Sequence, residues 1–230
     1  MHRATPLWPD RAAAGRALAQ QLRAWRNRRD ALVLGLPRGG IVVAAEVAHD
    51  LELPLASWAV RKLAHPRAPE LALGAIAPGG VLLWDEAIAA SQGLTPALRQ
   101  RILAEQSREL ERRQRLYGDP EPAALRDRPL LVVDDGVATG LTVRAALQSL
   151  RQLGPSRLVL AVPVIDRSVA SQLRRDLDHL VALAEVDDLW AVGAWYERFA
   201  PVEDEQVLAL LNACNADRAS SGARAHRKER

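Results

Sequence analysis

A single cysteine, Cys214, occurs in 230 residues, so no disulfide and no cysteine-built zinc cluster can form, a composition suited to a reducing cytoplasm. Lysine is almost as scarce: Lys62 and Lys228 stand against 29 arginines. No apolar run approaches the roughly 18 residues of a membrane span, which excludes a membrane helix. The first ten residues contain Pro6 and Pro9 and no apolar core before a small-residue cleavage site, so no signal peptide is expected. His49, His65 and His179 show no metal-ligand spacing and adjoin no nucleophile.

What is present is a globular composition, 49% hydrophobic and 26% charged, enough to bury one full core. The net charge of +3 resides in residues 216–230, where Arg218, Arg224, Arg227, Lys228 and Arg230 outnumber Asp217 and Glu229. Residues 1–215 are therefore electrically balanced and offer no net positive charge to nucleic acid. The terminal segment lacks apolar anchors and is expected to be a disordered basic tail.

Asp10 is placed to cap a helix in which Ala14, Leu18, Leu22 and Trp25 share a face, with Arg11, Arg16, Arg23, Arg26 and Arg28 mostly elsewhere. A short apolar strand ends at Gly35 and is followed by a tight loop and a helix over 41–50. Another strand is expected over 55–61, then a mobile loop over 62–70 containing Pro66 and Pro69, then a hairpin of 71–77 with 81–84 around Pro78-Gly79-Gly80. Thr95-Pro96 begins a long helix that Gly118-Asp119-Pro120 ends. From Pro129 the pattern is regular: strand 130–133, helix 141–153, strand 158–162, helix 168–178, strand 180–184. Such alternation predicts an α/β fold, a parallel sheet with helices on both faces, here with a hairpin and helix insertion over about 63–128 inside a domain of residues 1–215.

Ligands of open parallel sheets bind beyond the carboxyl ends of the strands. There, after Leu130-Leu131-Val132-Val133, come Asp134 and Asp135, adjacent carboxylates that need a cation or hydroxyl donors beside them. A ribose supplies two vicinal hydroxyls. Gly136, Val137, Ala138, Thr139, Gly140, Leu141 and Thr142 follow, small enough to turn tightly and leading into a helix start whose free amides and dipole favour a phosphate. No lysine lies in this loop and no Gly-x-x-x-x-Gly-Lys occurs, so it is not a P-loop.

The order apolar strand, two acids, small residues, Thr-Gly-x-Thr resembles the diphosphate-sugar loop of the type I phosphoribosyltransferases. The resemblance extends over most of residues 10–214, through Leu36-Pro37-Arg38-Gly39-Gly40, Arg61-Lys62-Leu63, Gly74-Ala75-Ile76-Ala77 and Val192-Gly193-Ala194-Trp195-Tyr196. It is strongest to a bacterial subgroup of unassigned base. It implies that Asp134 and Asp135 hold the ribose, that residues 136–142 hold the 5′-phosphate, and that Arg38, Gly39 and Gly40 hold the diphosphate, in a loop that often carries a cis peptide in relatives. It makes Arg61 and Lys62 catalytic, ahead of a flexible loop. It places Trp190 on the base face, Ala191 and Val192 at the base edge, and Glu197 with Asp134 and Asp135 around Mg²⁺, acting through water or ribose hydroxyls.

The expected reaction is transfer of the 5-phosphoribosyl group from phosphoribosyl diphosphate to a nucleobase, purine-like by the Trp190 segment, as in nucleotide salvage, with a homodimer left open. Ala138 stands where 6-oxopurine enzymes carry an acid. Two alternatives remain: a regulator of the same fold that binds phosphoribosyl diphosphate or a nucleotide without transferring anything, and transfer to an acceptor other than a base.

Overall fold

The computed structural model describes residues 5–228, with side chains described through 216 except at 69 and 70. Helix α1 (Arg11–Gln21) precedes β1 (Leu32–Gly35), α2 (Gly39–Leu51) and β2 (Leu55–Ser57). Strands β3 (Arg61–His65), β4 (Ala68–Ala77) and β5 (Val81–Trp84) follow, then helices α3 (Glu86–Ser91) and α4 (Pro96–Tyr117). The chain returns through β6 (Pro129–Val133), α5 (Leu141–Arg151), β7 (Arg157–Asp166), α6 (Arg167–Leu173), β8 (His179–Val186) and α7 (Asp204–Lys228).

Five strands pair in the order β2-β1-β6-β7-β8, all parallel. Alternate side chains explain the layering. Leu32, Leu34, Leu130, Val132, Leu158 and Leu160 pack with Val143, Leu147 and Leu150 of α5 on one face, and Val33, Leu131, Val133 and Val159 pack with residues of α1, α2 and α7 on the other. Both faces are covered, which is why β1 and β6 are buried at every position. The strand order reverses between β1 and β6, so the loops leaving these two neighbours open a crevice at the carboxyl edge.

The expected caps are present. Asp10 accepts from Ala13 N at 2.9 Å, Thr95 Oγ1 accepts from Leu98 N at 3.2 Å, and Gly118 closes α4 in the left-handed region at φ 66°. The hairpin β4–β5 also forms as the sequence predicts.

Three expectations change. The segment expected to be a mobile loop over 62–70 is instead the hairpin β3–β4, paired antiparallel from Arg61↔Ile76 to His65↔Ala68. Its anchor is the fully buried Leu63, which packs with Ile102 and Leu110 of α4; a single apolar side chain leaves no periodicity to read. Strand β2 stops at Ser57 rather than running to residue 61. Residues 216–228, expected to be disordered, continue α7 in their backbone, in keeping with the helix propensity of an Ala- and Arg-rich run. No helix among the described residues is long and apolar enough to cross a membrane.

Candidate active site

The crevice is built by two loops in contact. The first leaves β1. Leu36 N donates to Val133 O at 2.9 Å, which ties the loop to β6 before it turns, and the Pro37–Arg38 peptide is cis. Helix α2 then starts at Gly39. The second loop leaves β6 and is pinned to the end of β7: Val137 N donates to Val164 O and Asp166 N to Val137 O, both at 2.9 Å. The loop closes at Gly140, whose φ of 74° suits glycine, and this residue stands at the start of α5 with no side chain capping the helix. The first amides of α5 thus remain available to an anion. Thr139 is exposed and Thr142 half-buried beside them.

Glycine lets the loops meet. A methyl group on Gly40 would fall 2.7 Å from Asp134 Oδ1, and one on Gly39 would overlap Asp135. Gly136 has the same constraint from another side, since a methyl group there would lie 2.5 Å from Val192 Cγ1. Asp134, Asp135, Arg38, Gly39, Gly40, Gly136 and Val192 are accordingly one constellation.

The paired acids are electrostatically uncomfortable. Burial and the neighbouring Asp135 charge hold the Asp134 carboxyl well above the usual range. Asp135 is also raised by burial, with Arg11 opposing the shift. Arg11 Nε donates to Asp135 Oδ2 at 2.6 Å, and the two side chains are only 11% and 15% exposed. The Tyr196 hydroxyl donates to the Asp135 carbonyl at 2.5 Å, and burial pushes that hydroxyl far above its ordinary range.

Arg11 and Tyr196 were not expected at the site. They arrive there because the two ends of the domain pair: Leu7 N donates to Trp195 O, Glu197 N to Trp8 O and Arg198 N to Pro9 O, each at 2.9 Å. Arg198 also bridges Asp10 at 2.6 Å. The only signals in the sequence were Asp10 fixing Arg11 in the first turn of α1 and Tyr196 falling inside the segment of resemblance.

Other expected residues are distributed differently. Trp190 is 91% exposed, Ala191 is exposed and Val192 packs against Gly136 of the loop after β6. Glu197 is exposed, its backbone spent on Trp8, and no group of three or more His, Cys, Asp or Glu suited to a metal occurs among the described residues. Glu197 thus forms no direct ligand cluster with Asp134 and Asp135 among the described residues. Arg61 donates twice to Gln106 Oε1, at 3.0 and 2.7 Å, so its fork is committed to α4. Lys62 is the next residue of β3, in register with Ala75, and strand alternation puts it on the opposite face from Arg61. The Arg38 side chain reaches α7, with Nη1 2.9 Å from Glu203 Oε2.

This arrangement of acids, glycines and an uncapped helix has counterparts. The family profile described as phosphoribosyl transferase domain matches residues 7–198. The chain belongs to that family. Two Mycobacterium tuberculosis proteins, provisionally named phosphoribosyl transferases, are each 39% identical over 218 residues, 94% of this chain. The chain spans about half the length of these curated relatives, 49%. The crystal structure of TT1426 from Thermus thermophilus is 41% identical, with a TM-score of 0.67 over 89% of this chain and 97% of that one. The phosphoribosyl transferase fold thus accounts for the sheet order and for the position of both loops.

Magnesium can be judged against these residues. Two half-buried carboxylates, with no third ligand grouped with them among the described residues, do not make a protein-built cage, but they fit an ion held chiefly by the substrate's own oxygens and water.

Proposed function

We propose that this chain moves the 5-phosphoribosyl group from phosphoribosyl diphosphate to a nucleobase, purine-like in kind, and releases diphosphate. The observation that carries the reading is the convergence of the Arg38–Gly40 backbone on Asp134 and Asp135, with no space for side chains at Gly39 and Gly40. That contact brings a backbone anion site to within one residue of two hydroxyl acceptors, the spacing of a diphosphate and the ribose ring that bears it.

In this reading the 5′-phosphate lies in the turn of residues 136–142 and accepts from the amides of residues 138–142, Val137 N being held by Val164 O, and from Thr139 and Thr142. The ribose hydroxyls donate to Asp134 and Asp135, which fixes C1 between the loops. The leaving diphosphate accepts from the amides of Arg38 to Gly40 and takes charge stabilisation from Lys62 on β3. The C1–O bond breaks with its electron pair going to the diphosphate, and a base nitrogen forms the new bond to C1 from the opposite face. Magnesium, when bound with the substrate, neutralises charge on the diphosphate. Val192 against Gly136 and the exposed Trp190 support a base placed over the sugar loop, the indole offering a stacking face. A role in cytoplasmic nucleotide salvage follows from the same reading.

The test is diphosphate release from phosphoribosyl diphosphate with magnesium and individual bases. At least one base should support turnover, and Asp134→Asn with Asp135→Asn should abolish it and weaken phosphoribosyl diphosphate binding while the domain stays folded. A folded double variant that binds phosphoribosyl diphosphate unchanged in calorimetry would overturn the reading.

A further inference from the structure

Beyond Lys62, arginines could also meet the charge of the leaving diphosphate, and three of those around the site are directed to partners away from the two loops. Arg61 is held by Gln106, Arg38 bridges Glu203 and Asp204 at the start of α7, and Arg113 is buried against Glu109 at 2.7 Å. Arg11 differs. Its Nε lies 2.6 Å from Asp135 Oδ2 and 3.0 Å from where a Gly39 methyl would be, so its guanidinium stands between the ribose acid and the backbone of the loop after β1.

The guanidinium is also held in place. Nη1 donates to Ala200 O at 2.9 Å, and the Arg11 Cζ lies 3.6 Å from the centroid of the Phe199 ring. With Nε and Nη1 spent, Nη2 has no hydrogen-bond partner among the described residues. A planar group fixed by two nitrogens and a ring face, with both N–H groups of Nη2 among the three left over, is prepared for an anionic oxygen without further loss of side-chain freedom. The adjacent Gly39 amide belongs to the loop read above as the diphosphate site.

We infer that Arg11 is a substrate-contacting residue: Nε keeps Asp135 turned to the ribose while Nη2 donates to an oxygen of the diphosphate. The inference rests on the proposed phosphoribosyl transfer and adds to it a donor from the first turn of α1. Arg11 thereby links the two halves of one substrate, the ring and its leaving group, through a single guanidinium. It also makes the pairing of residues 7–10 with 195–198 part of substrate binding, because that pairing sets where α1 begins.

The experiment is calorimetric titration of wild type, Arg11→Gln and Arg11→Lys with three probes in magnesium: inorganic diphosphate, phosphoribosyl diphosphate and ribose 5-phosphate. Circular dichroism checks the fold of each. Arg11→Gln should weaken inorganic diphosphate and phosphoribosyl diphosphate by roughly tenfold or more, the worth of a charge-assisted hydrogen bond, and ribose 5-phosphate clearly less, since that probe loses only the hold of Nε on Asp135. Arg11→Lys, which keeps the charge and loses the fork, should fall between. Equal weakening of all three probes would reduce Arg11 to a support for Asp135 and overturn the inference, as would no change in any. If Arg11→Gln does not fold, Arg11→Lys carries the same comparison, with selective loss of the diphosphate probes expected and uniform or absent loss overturning it. Failure of the wild type to bind phosphoribosyl diphosphate would instead overturn the proposed function.

Discussion

Ala59 donates its backbone N–H to Asp119 Oδ2 at 2.7 Å, which seats the residue after the end of α4 against the segment that leaves β2. The Ser57 hydroxyl donates to the other carboxylate oxygen, and Ser57 is fully buried. Through this one carboxylate the insertion is fastened to the edge of the main sheet.

Burial pushes the Asp119 carboxyl up to about 6 from an ordinary 3.8, so the folded chain binds this proton more tightly than the unfolded chain. The stability linked to that proton is fully present below pH 3.8 and is lost as pH rises through about 6, a contribution of roughly 2 to 3 kcal/mol across the window. Asp119→Asn keeps an acceptor for Ala59 and an amide for Ser57 but has no charge to bury. Its melting temperature relative to wild type should therefore climb between pH 4 and pH 6 and level off above. A difference that stays flat over this window would assign the carboxyl an ordinary titration.

Gly39→Ala tests contact between the loops. A methyl group would overlap Asp135 Oδ2 and lie 2.9 Å from its Cγ, at a backbone position with no positive φ, so the change acts by displacing the acid. Phosphoribosyl diphosphate affinity should fall by about tenfold or more, the value of one charge-assisted contact. Gly80→Ala is the control: nothing lies within 4 Å, yet φ is 77°, so it should cost stability by about 1 kcal/mol and leave binding alone. Thermal melts and calorimetry of both variants separate the two effects.

Lys62→Ala should lower kcat by roughly tenfold or more with little change in stability, since an ammonium that meets the departing diphosphate binds it more strongly as charge develops. Lys62→Arg should recover ground-state binding better than turnover. Steady-state kinetics with the accepted base decides it: a raised KM at unchanged kcat would make Lys62 a binder of the substrate's resting charge only.

Trp190→Ala should leave the melting temperature unchanged, because the side chain is 91% exposed and supports no core. The KM for the base should rise by about tenfold, as stacking on an aromatic face contributes roughly 1 to 3 kcal/mol per base. An unaltered base KM would place the acceptor elsewhere on the crevice.

The sheet and the turn from Asp134 to Thr142 were legible in the sequence because their signals are local. Leu130 to Val133 announce a central strand, Asp134 and Asp135 follow it, and Thr95-Pro96 marks a helix start by its own chemistry. The β3–β4 hairpin was hidden, since Leu63 is its one fully buried residue in β3 and its partner cluster on α4 lies about forty residues on, as Ile102 shows. Arg11 looked like one more arginine on the outer face of α1. Its role depends on Asp135, 124 residues away, and no spacing rule reaches that far. The backbone of Glu197 pairs with Trp8, a partner likewise far off in sequence.

The union of the two chain ends also orders the protein in time. Arg198 and Asp10 are 188 residues apart, and contacts of such separation carry a high loop-closure cost until the nearby strands and turns have formed. A chain emerging from the ribosome exposes its residues in sequence, and the loop from Asp134 to Thr142 is made about fifty residues before Trp190 and Tyr196 exist. The loop of the paired acids is thus synthesised first, and the segment that packs Val192 and Tyr196 against it arrives later.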